Sequence, residues 1–240
     1  MNRIFMTITI GLLAQELGAA AAAKAAELVP VSVQQAFIPV GFDDNDEVEV
    51  VLDGQLPNGC YRIATPRQRL DPVTNTIEVT AMAFYYPGDC DPFVVPFTIS
   101  ANVGVLAATD YVVKVGGVAP MALTVKHSTS VGPDDFLYAS VDQVSIEVIP
   151  ERRSIIAYIT GRFTNSCMGW DRVELTDSGE TLELLPIIQM RAGSDCHAVD
   201  VHYKGVKVAL PWRKMGRYLL HVRTMSGKSA NNVFSVYGEG

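Results

Sequence analysis

The sequence predicts an all-β protein made of two tandem β-sandwiches, and three observations lead to that prediction. The 240-residue chain contains an internal repeat at a spacing of 107 residues, as between Gly54 and Gly161. Each repeat holds about seven short segments of alternating or β-branched apolar residues, separated by turn residues. No stretch beyond the N-terminus has a helical pattern. A repeat of roughly 100 residues is the size of one complete β-sandwich domain.

The repeat is clearest around the cysteines. The segment 54–60, from glycine to cysteine, returns at 161–167, with glycine six positions before the cysteine both times. A second cysteine follows in each repeat, at Cys90 and Cys196. These matches predict a first domain at 28–126, a linker at 127–137 and a second domain at 138–240, preceded by a signal peptide at 1–26 that the N-terminal pattern indicates.

The first twenty-six residues have the pattern of an export signal. Arg3 supplies the positive charge, residues 4–14 form a short apolar run, and residues 18–26 offer small side chains for cleavage. The apolar run is shorter than a membrane-spanning helix requires. We therefore expect a mature chain without a membrane span that is secreted, held at the cell surface or periplasmic.

Four cysteines can pair in three ways. The repeat favours Cys60 with Cys90 and Cys167 with Cys196, because each repeat then closes its own bridge. Loops of about 30 residues would restrict the unfolded chain by roughly 3–4 kcal/mol. A redox dithiol or a metal site would need cysteines two to four positions apart, a spacing that the sequence lacks.

The predicted strands follow the alternating segments. In the first repeat they lie at 31–38, 47–52, from 61 onward, 75–85, 93–99, 110–115 and 121–125. In the second repeat the matched segments include 139–146, 154–159, 180–185, 198–203, 217–222 and 232–236. Each repeat therefore closes with a hairpin, which gives about seven strands per domain.

The segment before each of these hairpins carries a known corner motif. Leu106 followed by Tyr111, and Leu210 followed by Tyr218, resemble the tyrosine corner of immunoglobulin-like and fibronectin type III-like domains. The cysteines lie about 30 residues apart and no tryptophan follows Cys60, which departs from the antibody pattern. The resemblance implies a fibronectin-like or bacterial immunoglobulin-like sandwich, a family that binds, adheres and spaces far more often than it catalyses.

Charge is distributed unevenly between the repeats. The formal net charge is −7. Residues 29–126 contain five basic and eleven acidic side chains, whereas residues 138–240 contain twelve basic and eleven acidic ones. An acidic chain argues against nucleic-acid binding. The second domain is the better candidate for contact with an acidic partner.

One acidic turn is a candidate cation site. Asp43, Asp44 and Asp46 are oxygen ligands of the type that calcium prefers. The alternative is an ordinary solvated turn between two strands. No other metal site, cofactor site or catalytic motif is evident, and we expect a non-enzymatic protein.

A candidate partner surface lies in the loop before the second corner. Trp212, Arg213 and Lys214 combine an aromatic ring with two cations, and tryptophan and arginine are favoured interface anchors. We expect these three side chains to be exposed. The alternative is a loop tryptophan that covers the end of the sandwich.

These observations predict an exported, non-catalytic module for binding, adhesion or surface assembly that recognises a protein or a glycan. Self-association is a further expectation. One alternative is a periplasmic assembly chaperone with two immunoglobulin-like domains, which would need a basic cleft between the domains. A second alternative is a protease inhibitor that acts through an exposed loop.

Overall fold

A computed structural model describes residues 25–193 and 195–237. The strands in the first part of the chain are β1 (Glu27–Pro30), β2 (Val33–Phe37), β3 (Glu47–Leu56), β4 (Tyr61–Asp71), β5 (Thr76–Tyr85), β6 (Val95–Val105), β7 (Asp110–Val115) and β8 (Met121–Thr124). The second part contains β9 (Ser140–Ile149), β10 (Ser154–Asn165), β11 (Met168–Asp177), β12 (Thr181–Met190), β13 (Ala198–Leu210), β14 (Gly216–Thr224) and β15 (Lys228–Val236). The described residues form no α-helix, which confirms the predicted all-β class.

The first eight strands form the first sandwich. One sheet has the order β2-β3-β6, and the other has the order β1-β5-β7-β8, with β4 paired to β5. The inward side chains alternate along β3, where Val48, Val50 and Leu52 are fully buried. They pack against residues of the facing sheet such as Ile77 and Val113 in one apolar core.

The second sandwich repeats this order. Its sheets are β9-β10-β13 and β11-β12-β14-β15, and they enclose a separate apolar core. The place of β1 is taken by residues 137–139, because Ala139 N donates to Pro186 O and Ile188 N donates to Leu137 O. The internal repeat of the sequence therefore corresponds to a repeat of strand order.

Two details differ from the predicted immunoglobulin-like sandwich. The first sandwich has eight strands rather than seven, since residues 27–30 add β1 along β5. In addition, β5 pairs in parallel with β7, and β12 pairs in parallel with β14. Immunoglobulin sheets are antiparallel. Each parallel pair arises because the chain crosses to the opposite sheet, through β6 or β13, before it returns.

Both tyrosine corners are present. The Tyr111 hydroxyl donates to Ala107 O at 3.0 Å, and the Tyr218 hydroxyl donates to Lys214 O at 3.0 Å. In each case the acceptor is four residues upstream, so the hydroxyl fixes the loop that enters the closing hairpin.

Both disulfides that the repeat predicts are present. Cys60 is joined to Cys90, and Cys167 is joined to Cys196. Each bridge links the start of one strand to the loop that leads into an edge strand of the opposite sheet, β6 or β13. Each sandwich is therefore closed covalently on itself.

The two sandwiches pack face to face. The outer face of β3 lies antiparallel over the outer face of β14, and opposed residues meet every second position along both strands. The opposed pairs are Glu49 with His221, Val51 with Leu219 and Asp53 with Arg217. The four sheets thus form four consecutive layers, with charged pairs on either side of a small apolar centre.

The segment between the sandwiches is fixed to both of them. Asn45 Nδ2 donates to Ser130 O at 3.0 Å. Asp134 accepts hydrogen bonds from the amides of Ser226 and Gly227, each at 2.7 Å. The predicted linker is therefore held by hydrogen bonds to a turn of each sandwich.

The predicted signal peptide lies mostly outside the described residues, which begin at residue 25. Within residues 25–193 and 195–237, no helix is long and apolar enough to cross a membrane.

Candidate functional site

A groove opens at one end of the second sandwich. Its walls are the turn between β9 and β10, the loop between β13 and β14, and the end of β15. It has a volume of about 480 Å³. The residues that line it are Pro150, Glu151, Arg153, Trp212, Arg213, Lys214, Met215, Val236 and Tyr237. The predicted partner loop therefore lies in a concave site.

The structure separates the three residues of that loop into different roles. Lys214 is exposed, as expected, but Trp212 is partly buried and packs against the core. The Arg213 side chain is only 13% exposed, and its Nη2 lies 2.6 Å from Asp177 Oδ1. The prediction that all three are exposed is therefore wrong, because the chain turns Trp212 and Arg213 back onto the sandwich.

The inward position of Arg213 stiffens the floor of the groove. Its guanidinium also lies 5.6 Å from the centroid of the Tyr218 ring, within the reach of about 6 Å of a cation–π contact. The Arg213 guanidinium beside Asp177 holds the pKa of that carboxyl below its ordinary value, so the carboxylate stays charged. Arg213, through Asp177, and the Tyr218 hydroxyl, through Lys214 O, both join the loop to the sandwich.

The groove carries apolar surface at its rim. Met215 is 75% exposed and Tyr237 is 73% exposed. Aromatic residues, methionine and arginine are enriched in protein interfaces. The cations Arg153 and Lys214 stand beside this surface and form no ion pair with a described residue. The arrangement suits a ligand that offers both apolar and negatively charged groups.

The candidate calcium residues have other partners. Asp43 Oδ1 accepts from Asn45 N, and Asp44 accepts from Ser128 N. Asp46 binds Arg223 through both carboxylate oxygens, each at 2.7 Å. The three carboxylates therefore do not converge. No group of three potential metal ligands occurs in the part of the chain that the structure describes.

The junction between the sandwiches holds the charged residues that sequence reasoning missed. Arg223 and Asp46 are 6% and 2% exposed. Arg223 also donates to Gly41 O and lies 3.6 Å from Glu183. The Phe42 ring lies beneath its guanidinium. Because this pair is buried away from water, removal of either partner would leave an uncompensated charge and strongly destabilise the folded protein.

Glu49 is the second acid of the junction. Burial alone would raise its pKa, but His221 Nδ1 at 3.3 Å and hydrogen bonds from Ser229 and Asn231 lower the pKa to about 2. His221 is 1% exposed and uses Nδ1 toward Asn231 Oδ1 at 2.9 Å, whereas its Nε2 has no partner. Glu183 differs, since its burial raises the pKa.

A cleft of about 290 Å³ opens beside this network. Glu47 and Glu49 line it from the first sandwich, and Arg223 and Lys228 line it from the second. Its charges are balanced, so it does not provide the basic cleft that the chaperone alternative needs. In the sequence, the junction is marked only by acidic residues at alternate positions of β3 and basic residues at alternate positions of β14. Strands with one face in water show the same alternation, so this pattern does not identify a buried junction.

Comparison with known proteins gives one family match. The model of the ORF11 beta-sandwich domain matches residues 50–125, which run from β3 to the end of the first sandwich. No curated protein and no solved structure matches the chain significantly. The match supports the β-sandwich architecture.

Proposed function

We propose that this protein is an exported, non-catalytic binding module that recognises a partner through the groove at the end of the second sandwich. The observation that carries the proposal is the exposure of Met215 and Tyr237 around a stiffened loop. Interface energy concentrates in a few apolar or aromatic anchors placed in preformed pockets. The disulfides and the export-type N-terminus support a site outside the cytoplasm.

The tyrosine corners support an immunoglobulin-like origin for both sandwiches, in a variant with a parallel strand pair in each. Such a scaffold holds the strands rigid while its end loops differ, and recognition is then placed in the loops. Adhesion and surface assembly are both uses of this kind of binding.

The proposal is tested with groove variants of the whole chain. Immobilised protein is incubated with surface proteins and glycans, and bound partners are measured by surface plasmon resonance. Met215→Glu and Tyr237→Glu are expected to weaken binding at least tenfold, because each introduces a charge into the apolar rim. Val73→Glu is the matched control, since Val73 is 91% exposed in the first sandwich.

Partner binding that neither groove variant weakens would show that the binding surface lies elsewhere on the protein. Turnover of a hydrolase substrate that one point substitution abolishes would show that the protein is an enzyme.

A further inference from the structure

The loop that joins β5 to β6, residues 86–94, places large apolar side chains in solvent at one end of the first sandwich. Tyr86, Phe93 and Val94 are between 49% and 56% exposed. Phe84, at the end of β5, adds a further side chain that is 40% exposed. Isolated apolar residues on a surface are ordinary, but a group of them close together marks an interaction site.

A disulfide and two backbone hydrogen bonds hold this loop against the turn between β3 and β4. Cys90 is joined to Cys60. Tyr86 N donates to Cys60 O at 2.9 Å, and Gly59 N donates to Asp91 O at 3.0 Å. The start and the middle of the loop are therefore fixed to the same turn, so its apolar side chains are presented together at this end of the sandwich.

Three prolines stiffen the loop and the strand that follows it. Pro87, Pro92 and Pro96 restrict φ and supply no backbone N–H. Strand addition to the loop would need such backbone donors, so recognition here depends on side chains. A loop that is already held in one shape also loses little conformational freedom when a partner binds.

The unpaired charges beside these apolar residues are acidic. Asp89 and Asp91 are exposed, and neither forms an ion pair with a described residue. Arg62, on the adjacent strand β4, donates its Nη1 to Gly59 O at 2.8 Å instead. The surface therefore carries uncompensated negative charge, as does the first repeat as a whole.

The corresponding loop of the second sandwich lacks this surface. Residues 191–197 join β12 to β13 and contain Cys196, which is bonded to Cys167 as Cys90 is bonded to Cys60. Their sequence has no large apolar residue and no proline. A sandwich of this fold thus closes its disulfide loop without exposed aromatic side chains, so those of the β5–β6 loop are not needed for the fold.

We propose that the β5–β6 loop docks a segment of a partner protein that carries apolar side chains next to lysine or arginine. Tyr86, Phe93 and Val94 contact the apolar side chains of that segment, and Asp89 and Asp91 pair with its cations. An apolar centre with a polar rim is the usual composition of a protein interface. This surface belongs to the first sandwich and the groove to the second, so each assignment is tested without the other.

The test uses three fluorescent peptides of about ten residues, each with two central leucines. The remaining residues are mostly Lys in the first peptide, Gln in the second and Glu in the third. Fluorescence anisotropy with the whole chain is expected to show that the Lys peptide binds at least about tenfold more tightly than the Glu peptide at low salt. The difference should shrink as salt rises, because salt screens exposed charges.

An apolar substitution locates the binding. Phe93→Ser is expected to weaken binding of the Lys peptide about tenfold, because it removes a large anchor from the centre of the surface. Val73→Ser is the control, since Val73 is 91% exposed elsewhere in the first sandwich. That variant should bind the peptide as the native chain does.

An acidic substitution tests the choice of partner charge. Asp89→Asn with Asp91→Asn should weaken the Lys peptide about fivefold and leave the Gln peptide unchanged. Asp195→Asn is the matched control, because Asp195 precedes the cysteine of the second loop as Asp89 precedes that of the first. It should change the binding of neither peptide.

Three results would overturn the inference. The first is equal binding of the three peptides, or binding of none of them. The second is Lys-peptide binding that neither the Phe93 variant nor the acidic variant weakens. The third comes from sedimentation of the whole chain and from its binding to phosphatidylcholine vesicles: a dimer or a vesicle complex that Phe93→Ser abolishes, while no peptide binds, would assign the loop to a second copy of the chain or to a membrane.

Discussion

The two sandwiches have the same strand order, the same corner hydrogen bond and a disulfide in the same place, yet their outer faces differ. The outer face of β3 presents Glu49, Val51 and Asp53 to the junction. At a spacing of 107 residues, β10 carries Ile156, Tyr158 and Thr160 instead. The shared scaffold therefore does not decide which faces meet.

The opposite side of the junction shows the same contrast. Arg217, Leu219 and His221 on β14 correspond to Asp110, Val112 and Lys114 on β7. β7 therefore keeps charged residues at the outer two positions, but Asp110 reverses the charge of Arg217, and β10 has no acid at the positions of Glu49 and Asp53. Charge pairs around a small apolar centre select this single arrangement, as electrostatic complementarity selects partners in other interfaces.

The largest effect is expected from breaking the buried pair between Arg223 and Asp46. Arg223→Ala should lower the free energy of unfolding by about 3–5 kcal/mol, because Asp46 is left charged and buried. Arg162→Ala is the control, since the Arg162 side chain is 42% exposed in its pair with Asp142. That change should cost less than about 1 kcal/mol. Equal losses in urea denaturation would contradict the importance of the junction pair.

Removal of either disulfide is expected to have a similar effect to removal of the other. The cysteines are separated by 30 positions in the first sandwich and 29 in the second. The double variant Cys60→Ser with Cys90→Ser should lose roughly 3–4 kcal/mol, and so should Cys167→Ser with Cys196→Ser. Denaturation of both variants beside the native chain measures this. A loss confined to one of them would show that the sandwiches are not equivalent in this respect.

Acid is expected to weaken the junction through Glu49. Its pKa is about 2 in the folded protein, below the ordinary value of 4.5. A lowered pKa gives stability that is complete above the unfolded value and is lost as pH falls from about 4.5 toward 2, at most about 3 kcal/mol. Glu183, whose pKa is raised by burial, acts in the opposite sense. The measurement is unfolding free energy against pH for the native chain and Glu49→Gln; an unchanged acid slope in the variant would refute the assignment.

The smallest effect is expected at the corners. Tyr111→Phe removes a hydrogen bond from a side chain that is 5% exposed, and should cost about 1 kcal/mol. Tyr218→Phe should cost less, because Tyr218 is only partly buried and water can replace its hydroxyl at Lys214 O. Thermal unfolding of the two variants compares them directly. A larger loss at Tyr218 would reverse the predicted order.

Much of the scaffold follows from local sequence signals. The internal repeat predicts the disulfides, because each copy contains two cysteines. The tyrosines before the hairpins predict the corners, because each hydroxyl binds a carbonyl only four residues upstream. The parallel pairs could not be predicted in this way, since they depend on which strand the chain reaches after crossing the sandwich. Strand β1 was missed because residues 27–30 lie beside the predicted signal and lack alternation.

The candidate site was predicted in part. The loop 212–214 lies in the groove, but a cation whose partner is 36 positions away, as Asp177 is from Arg213, looks exposed in the sequence. The same holds for Glu49 and His221, whose alternation with apolar neighbours is equally typical of a face in water. These charged residues become buried only when the second sandwich packs on the first, and no local sequence pattern shows that contact.

The most direct test of the junction exchanges the two charges of one opposed pair, Asp53 and Arg217. Asp53→Arg and Arg217→Asp are measured alone and together by urea denaturation of the whole chain. We predict that each single change lowers the free energy of unfolding, because two like charges then face each other across the junction, and that the double variant recovers part of the loss. A double variant that is no more stable than the single ones would contradict the claim that charge pairs select this arrangement.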